Sequence, residues 1–307
     1  MKNIEPINQT KLFGLNKFMN ELIRLEEKNI FPNKILLSGQ KGLGKSTMAY
    51  HFINYVLSKN EEFKYDSNKF EINPQNCTFK TILNKSNPNF TLIDTNTDKD
   101  SININQIREL ISQLNKSSFN QKPRFILIDN IEFLNINSVN ALLKILEEPT
   151  LNVHFILVNN NKKVLPTLLS RCINFKVSLT NKESLNIADK LLDGKFNEII
   201  NYDLIFYYLK HGNIFKLAKF AEVNKYDLIN CNLKSFLKII IKNNHYKKDN
   251  LIKFFIFDFI ELYFTKINLS LSSKINDNYN YFLKRISDTK KFNLDEESLF
   301  IEFEEKV

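Results

Sequence analysis

The sequence predicts an α/β domain with a parallel sheet, followed by an all-α region. Short apolar runs recur between helical patterns up to Val177: Ile35-Leu36-Leu37, Phe90-Thr91-Leu92-Ile93, Phe125-Ile126-Leu127-Ile128, His154 to Val158 and Ile173 to Val177. The runs at Phe125 to Ile128 and His154 to Val158 have no polar alternation, which suits strands covered on both faces. A glycine-containing loop, Gly39 to Thr47, separates the first run from a helical pattern. Beyond Val177 strand-like runs give way to helical spacing, and no proline follows Pro166. Strands alternating with helices indicate an open α/β sheet, and the later texture indicates helical packing.

In order, Leu12-Phe13-Gly14 with Phe18, Leu22, Ile23 and Leu25 reads as an amphipathic helix ahead of the first strand. The loop then fits G-x-x-x-x-G-K-[ST] at Gly39, Gly44, Lys45 and Ser46, with Gln40, Lys41, Gly42 and Leu43 between and Thr47 after. Three of the chain's six glycines lie here, which argues against a chance match. Glycines let main-chain N–H groups close around phosphate oxygens, and the following helix (Met48, Ala49, Phe52, Ile53, Val56) adds its positive end. Lys45 then reaches the β- and γ-phosphates and Ser46 helps hold Mg²⁺. A relic loop that binds nucleotide weakly is the plainer alternative.

Ser58 to Asn89 is polar, contains Pro74 and Pro88, and reads as a surface excursion with a helix around Phe79 to Leu83. Asn103 or Asn105 caps a helix carrying Ile104, Ile107, Leu110, Ile111 and Leu114. The third apolar run ends in Asp129, where phosphate-loop proteins hold Mg²⁺. The next residue is Asn130, whose amide positions water but cannot take its proton, so Glu132 is the candidate base. A helix with Val139, Leu142, Leu143 and Leu146 inward closes at Glu147-Glu148-Pro149, and the fourth strand leads to Asn159-Asn160-Asn161. Thr180-x-x-Glu183 is a capping box that opens the helical region. Further on, Lys234, Lys238 and Lys242 line one helix face, either a solvated surface or a DNA contact.

The net charge of +9 and pI near 9.2 favour an acidic partner, nucleic acid first, unless the lysine content reflects a biased genome. Cys77, Cys172 and Cys231 are scattered without a C-x-x-C pair, so neither zinc nor a disulfide framework is expected. Met1 to Pro6 has no signal-peptide core. The apolar run Leu251 to Phe264 is too short for a bilayer and carries Lys253, Asp258 and Glu261. A cytoplasmic protein with no membrane contact is the expectation.

Asn140-Ala141-Leu142-Leu143-Lys144-Ile145-Leu146-Glu147-Glu148-Pro149, followed by Ser170-Arg171-Cys172, resembles the clamp-loader branch of the AAA+ ATPases, and within it the delta-prime type. Leu12-Phe13-Gly14 and Ile104 to Leu110 fit the same pattern. The resemblance implies an AAA+ P-loop domain with a parallel sheet at 1–178, a small helical lid domain at 179–229 and a C-terminal helical collar domain at 230–307. It implies ATP or ADP with Mg as cofactors, and a hetero-pentamer with a gamma/tau-like ATPase and a delta-like clamp opener that places the sliding clamp on primed DNA. Asn159 or Asn160 falls where a γ-phosphate sensor is expected. Arg171 would act in trans as an arginine finger, its planar fork suited to phosphate. Asn130 at the position of the usual Glu implies a stator-like subunit with little ATPase activity of its own. The alternative is a self-sufficient gamma/tau-like motor using Glu132; a phosphate-loop kinase is a third. Arg108 and Lys144 are candidate DNA contacts or simply exposed helix charges, and Lys216 is the candidate lid sensor. The four-cysteine zinc module of many relatives is reduced to Cys77, so zinc is not implied.

Overall fold

The computed structural model describes residues 5–95, 101–114, 120–147, 152–160, 164–205, 210–248, 250–267, 273–292 and 294–306. The chain forms two compact units, Met1–Leu191 with Lys210–Asn213, and Leu192–Leu209 with Ile214–Val307.

The first unit alternates helices and strands: α1 (Asn16–Glu27), β1 (Lys34–Ser38), α2 (Lys45–Leu57), α3 (Cys77–Leu83), β2 (Phe90–Ile93), α4 (Ile104–Leu114), β3 (Arg124–Ile128), α5 (Ile136–Glu147), β4 (Val153–Asn159), α6 (Pro166–Leu169), β5 (Ile173–Lys176) and α7 (Asn181–Leu192). All strand pairs are parallel, in the order β2-β3-β4-β1-β5. Because β1 lies beside β4 rather than β2, the chain turns to opposite sides of the sheet after these strands. Ligands of open α/β sheets bind at the carboxyl ends flanking such a reversal. The register Ser38↔Asn159 and Ile128↔Leu157 brings the ends of β1, β4 and β3 together there.

Each sheet face has its own core. Ile35, Leu37, Phe125, Leu127 and Ile156 pack with Phe18, Met19, Met48 and Phe52 on one side. Leu36, Ile126, Ile128 and Leu157 pack with Ile107, Leu110, Leu142 and Leu146 on the other. Both sides of β1, β3 and β4 are therefore buried, which is why their sequences lack alternation. The capping box forms as expected: Thr180 N donates to Glu183 Oε2 at 2.8 Å and Glu183 N donates to Thr180 Oγ1 at 3.2 Å.

Residues 58–89 depart from the expected surface excursion. Tyr65, Phe70, Ile72, Phe79 and Ile82 are buried in the first core. Polar side chains disguise this. Asn76, fully buried, caps α3 by accepting from Phe79 N, receives Asn54 Nδ2 at 3.0 Å, and donates to Phe63 O at 2.7 Å. Glu61 accepts from the main-chain N–H groups of Cys77 and Thr78 at the same helix start.

The second unit is helical: α8 (His211–Asn224, from Ile214 onward), α9 (Leu233–Lys242), α10 (His245–Lys248), α11 (Asn250–Ile267), α12 (Ser273–Phe292) and α13 (Glu296–Lys306). Its centre is aromatic. Phe264 stacks on Phe282 with centroids 5.2 Å apart, and Phe300 lies 5.1 Å from Phe257. Within the run from Leu251 to Phe264, Ile252, Phe255, Ile256, Phe257, Phe259, Ile260 and Phe264 are buried, so this helix is apolar on several sides because neighbours cover them. Among the described residues no helix is long and apolar enough to cross a membrane.

Phe125 is 1% exposed, stacks on His154 at 5.2 Å and meets Phe52 edge-on at 6.1 Å. Phe125→Ala is predicted to lower the unfolding free energy by about 3–5 kcal/mol, seen as a lower urea midpoint at unchanged slope. An unchanged midpoint would show that this ring does not anchor the sheet.

Candidate nucleotide site

The loop after β1 is shaped by three glycines. A Cβ on Gly39 would lie 2.3 Å from the Val177 carbonyl oxygen, so no other residue fits there without movement. Gly42 and Gly44 adopt φ of +83° and +82°, the left-handed region that favours glycine. Gly44 ends the loop and its carbonyl accepts from Met48 N at 2.9 Å, starting α2 directly. The first-turn N–H groups of α2, from Lys45 to Thr47, have no partner within the helix, the arrangement that attracts anions. Gln40 and Lys41 are exposed, whereas Leu43 is buried beneath the loop.

Lys45 is 3% exposed. Its ammonium donates to Gly39 O at 2.9 Å, Gln40 O at 2.7 Å and Asn160 Oδ1 at 2.9 Å. Burial lowers its pKa to about 8, with the Asp129 and Glu132 charges opposing the shift. Asp129, at the end of β3, is hydrogen-bonded by the Ser46 side chain. Burial raises its pKa to about 6, with the Ser46 bond, the Asn130 N–H and Lys45 opposing and Asp94 adding. Near neutral pH both groups carry their charges. A hydroxyl and a carboxylate in contact are the oxygen donors that Mg²⁺ takes when it keeps most of its waters, so Ser46 and Asp129 fit that ion. Among the described residues no group of three or more His, Cys, Asp or Glu side chains is placed to hold a metal.

Asn160, just past β4, joins these parts. Its Oδ1 faces Lys45, and its Nδ2 donates to Asn130 Oδ1 at 2.8 Å and to Glu132 Oε1 at 3.0 Å. An ammonium on one side and two acceptors on the other fix which way the amide points. Asn130 takes a left-handed φ of +56° and passes the network on, donating to Asp94 Oδ1 at 2.8 Å. Of the two asparagines the sequence offers as a sensor, Asn160 meets Lys45. Asn159 is buried in register with Ser38 inside the sheet. Glu132 therefore stands near the lysine through Asn160, while Asn130 offers no proton acceptor beside Asp129.

Arg171 lies just after α6, a short helix with Pro166 at its first position. It is half-buried at the surface. Its Nε donates to Glu147 Oε1 at 3.0 Å, its Nη2 pairs with the same oxygen, and its Nη1 donates to Thr167 O at 2.6 Å. Glu148, Pro149 and Asn161 lie outside the described residues. Cys172 is partly buried, and that burial raises its thiol pKa to about 11. Arg108 on α4 and Lys144 on α5 are exposed, and Lys216 lies on α8 in the second unit.

A contribution that sequence reasoning missed comes from residues 210–213. Gly212 N donates to Gly42 O at 3.2 Å, and a Cβ on Gly212 would lie 2.8 Å from that oxygen. His211 is buried; its ring bonds the Leu43 main chain, and its Nδ1 lies 3.3 Å from Ser184 Oγ. Burial lowers its pKa to about 4, with Lys210 adding, so the ring is neutral at physiological pH. Lys210 Nζ donates to Asn181 Oδ1 at 3.1 Å. The phosphate loop is thereby braced from α7 and the start of α8, through contacts with no local sequence signature.

The family model described as DNA polymerase III, delta subunit, matches residues 14–181. The delta' subunit of DNA polymerase III from Buchnera aphidicola subsp. Baizongia pistaciae is 26% identical over 223 residues, covering 64% of this chain and 65% of that protein. The delta' subunit from Buchnera aphidicola subsp. Schizaphis graminum is 31% identical over 174 residues, covering 56% of this chain and 51% of that protein. The chain thus spans about half to two thirds of the length of these curated relatives. A solved DNA polymerase III gamma subunit-related protein from Thermotoga maritima superposes with a TM-score of 0.54 at 15% identity, covering 94% of this chain and 98% of that one, a likeness of fold.

A carboxyl whose pKa is about 6 in the folded chain, against an ordinary 3.8, binds its proton more tightly when folded. The metal-free chain accordingly loses stability as pH rises from about 4 to about 6. Asp129→Asn is predicted to remove this loss and to be more stable than the parent by about 3 kcal/mol at neutral pH. Urea midpoints at both pH values check it; parallel pH profiles for the two proteins would refute it.

Proposed function

The chain belongs to the DNA polymerase III delta-subunit family, and from that premise we propose that it is a clamp-loader subunit that binds ATP or ADP with magnesium and lends Arg171 to a neighbouring protomer. The observation that carries this reading is a complete phosphate cradle beside an amide, Asn130, where hydrolysis needs a proton acceptor. Nucleotide phosphates would exchange with the Gly39 and Gln40 carbonyls for the Lys45 ammonium, while Asn160 keeps the lysine aimed at the loop. Magnesium, when held by Ser46 and Asp129, supplies positive charge against the phosphate oxygens.

Arg171 supports the second half. An ion pair with an exposed carboxylate is worth about 0–1 kcal/mol, so leaving Glu147 for a phosphate costs little. Its fork suits bidentate phosphate contact and its charge is permanent. The partners of this reading are a gamma/tau-like ATPase, a delta-like clamp opener, the sliding clamp and primed DNA, with Arg108 and Lys144 as candidate DNA contacts, all in the cytoplasm. Residues 1–178 would serve as the AAA+ domain, 179–229 as the lid and 230–307 as the collar. One observation favours a self-sufficient motor instead: the Glu132 carboxylate lies in the Lys45–Asn160 network. DNA-stimulated ATPase of the isolated chain, abolished by Glu132→Gln, would establish that alternative.

In an assembly reconstituted with its ATPase neighbours, Arg171→Ala is predicted to slow DNA-stimulated ATP turnover by about 10³-fold, with Arg171→Lys failing to restore it. Nucleotide affinity of the isolated variant should equal that of the parent. Normal turnover with Arg171→Ala would remove the role in trans. Lys45→Ala is predicted to abolish retention of labelled ATP by the chain without lowering its melting temperature; retained binding would show that the loop is a relic.

A further inference from the structure

From α9 of the second unit we infer a binding surface for the phosphate backbone of nucleic acid, made by Lys234, Lys238 and Lys242. One face of α9 buries Leu233, Phe236, Leu237, Ile240 and Ile241 and fixes the helix in its unit. The lysines recur every fourth residue on the remaining side, with Lys234 and Lys242 exposed and Lys238 half-exposed. Four residues rise about 6 Å along a helix, so the three stems are spread over about 12 Å on one side.

Four other lysines of the unit are each paired with a carboxylate. Lys247 pairs with Glu297 at 2.6 Å, Lys253 with Glu296 at 2.7 Å, Lys306 with Glu302 at 2.6 Å and Lys266 with Asp203 at 3.1 Å. Among the described residues Lys234, Lys238 and Lys242 have no carboxylate partner. The sequence supplies none locally, because residues 228–248 contain five lysines and no Asp or Glu. Glu296, Glu297 and Glu302 of the unit's last helix are instead taken up by Lys253, Lys247, Arg285 and Lys306. A localised, uncompensated row of cations is therefore built into a rigid helix.

The chemistry of the row selects its partner. Duplex DNA carries about one charge per 1.7 Å of axis, so a 12 Å row faces more phosphates than it needs. The exposed positions beside the lysines are Ser235 and Asn243, not the large apolar side chains by which a helix enters a lipid surface. Lysine contacts of this kind are blind to base sequence, which suits a subunit that acts wherever a primer ends. The inference rests on the reading that the chain works at primed DNA, but not on the nucleotide site or Arg171.

Binding of the full chain to a fluorescent primed duplex, titrated from about 50 to about 200 mM salt, tests it. Lys234→Gln/Lys238→Gln/Lys242→Gln is predicted to reduce the slope of log affinity against log salt by about 2–3 and to weaken binding by about tenfold at the lowest salt. Lys234→Gln alone should reduce the slope by about 1, at an unchanged melting temperature. The inference is overturned if the triple variant keeps the parental slope and affinity, if the parent does not bind the duplex, or if the variant loses only binding to anionic-lipid vesicles. The Arg171 turnover experiment is independent of each of these outcomes, so failure here leaves the clamp-loader reading standing.

Discussion

The site depends on keeping the Lys45 ammonium solvated by protein oxygens. A charge buried to this degree costs several kcal/mol unless it is bonded. Here the bonds come from two loop carbonyls and one side-chain amide, all neutral, while Asp129 and Glu132 act on it as nearby charges. That arrangement requires β1 and β4 to be neighbours, so that the residue after Asn159 falls beside the loop that follows Ser38. Neutral acceptors hold an ammonium less firmly than a phosphate would. The loop is therefore stable in this form yet leaves its lysine open to exchange.

The same network explains what the site lacks. Asn160 divides its amide between the lysine and the pair Asn130 and Glu132, so the position next to Asp129 is tied into structure through an amide. An amide gives and accepts hydrogen bonds without taking a proton. Arg171 stands in contrast to Lys45. Its bonds to Glu147 and Thr167 are at the surface, where water screens the pair and exchange is cheap. One cation is held inside the loop by neutral oxygens, and the other is held at the surface by a carboxylate and a carbonyl.

Much of this was legible in the sequence, for identifiable reasons. The phosphate loop, the buried strands and the Thr180–Glu183 capping box are local patterns, each fixed by residues a few positions apart. The choice between Asn159 and Asn160 was not legible, because it turns on where β4 ends and a one-residue shift reverses the side chain. Residues 58–89 read as surface because Asn54 and Asn76 satisfy one another inside the fold and Glu61 accepts from the main chain at the start of α3, and burial through polar pairs leaves no apolar period. The brace from Lys210 to Asn213 escaped for a different reason. It joins parts of the chain far apart in sequence through main-chain atoms of Gly42 and Leu43, which no residue pattern records.

Whether the chain grips ATP without cutting it is read most directly by a single-turnover quench. Excess isolated chain is mixed with γ-labelled ATP and magnesium, and bound and released label are followed together. Retention of the label on the protein as intact ATP, with phosphate appearing no faster than in buffer, is the predicted result. Release of labelled phosphate at about 1 s⁻¹ or faster, within the range of ordinary enzymes, would contradict it.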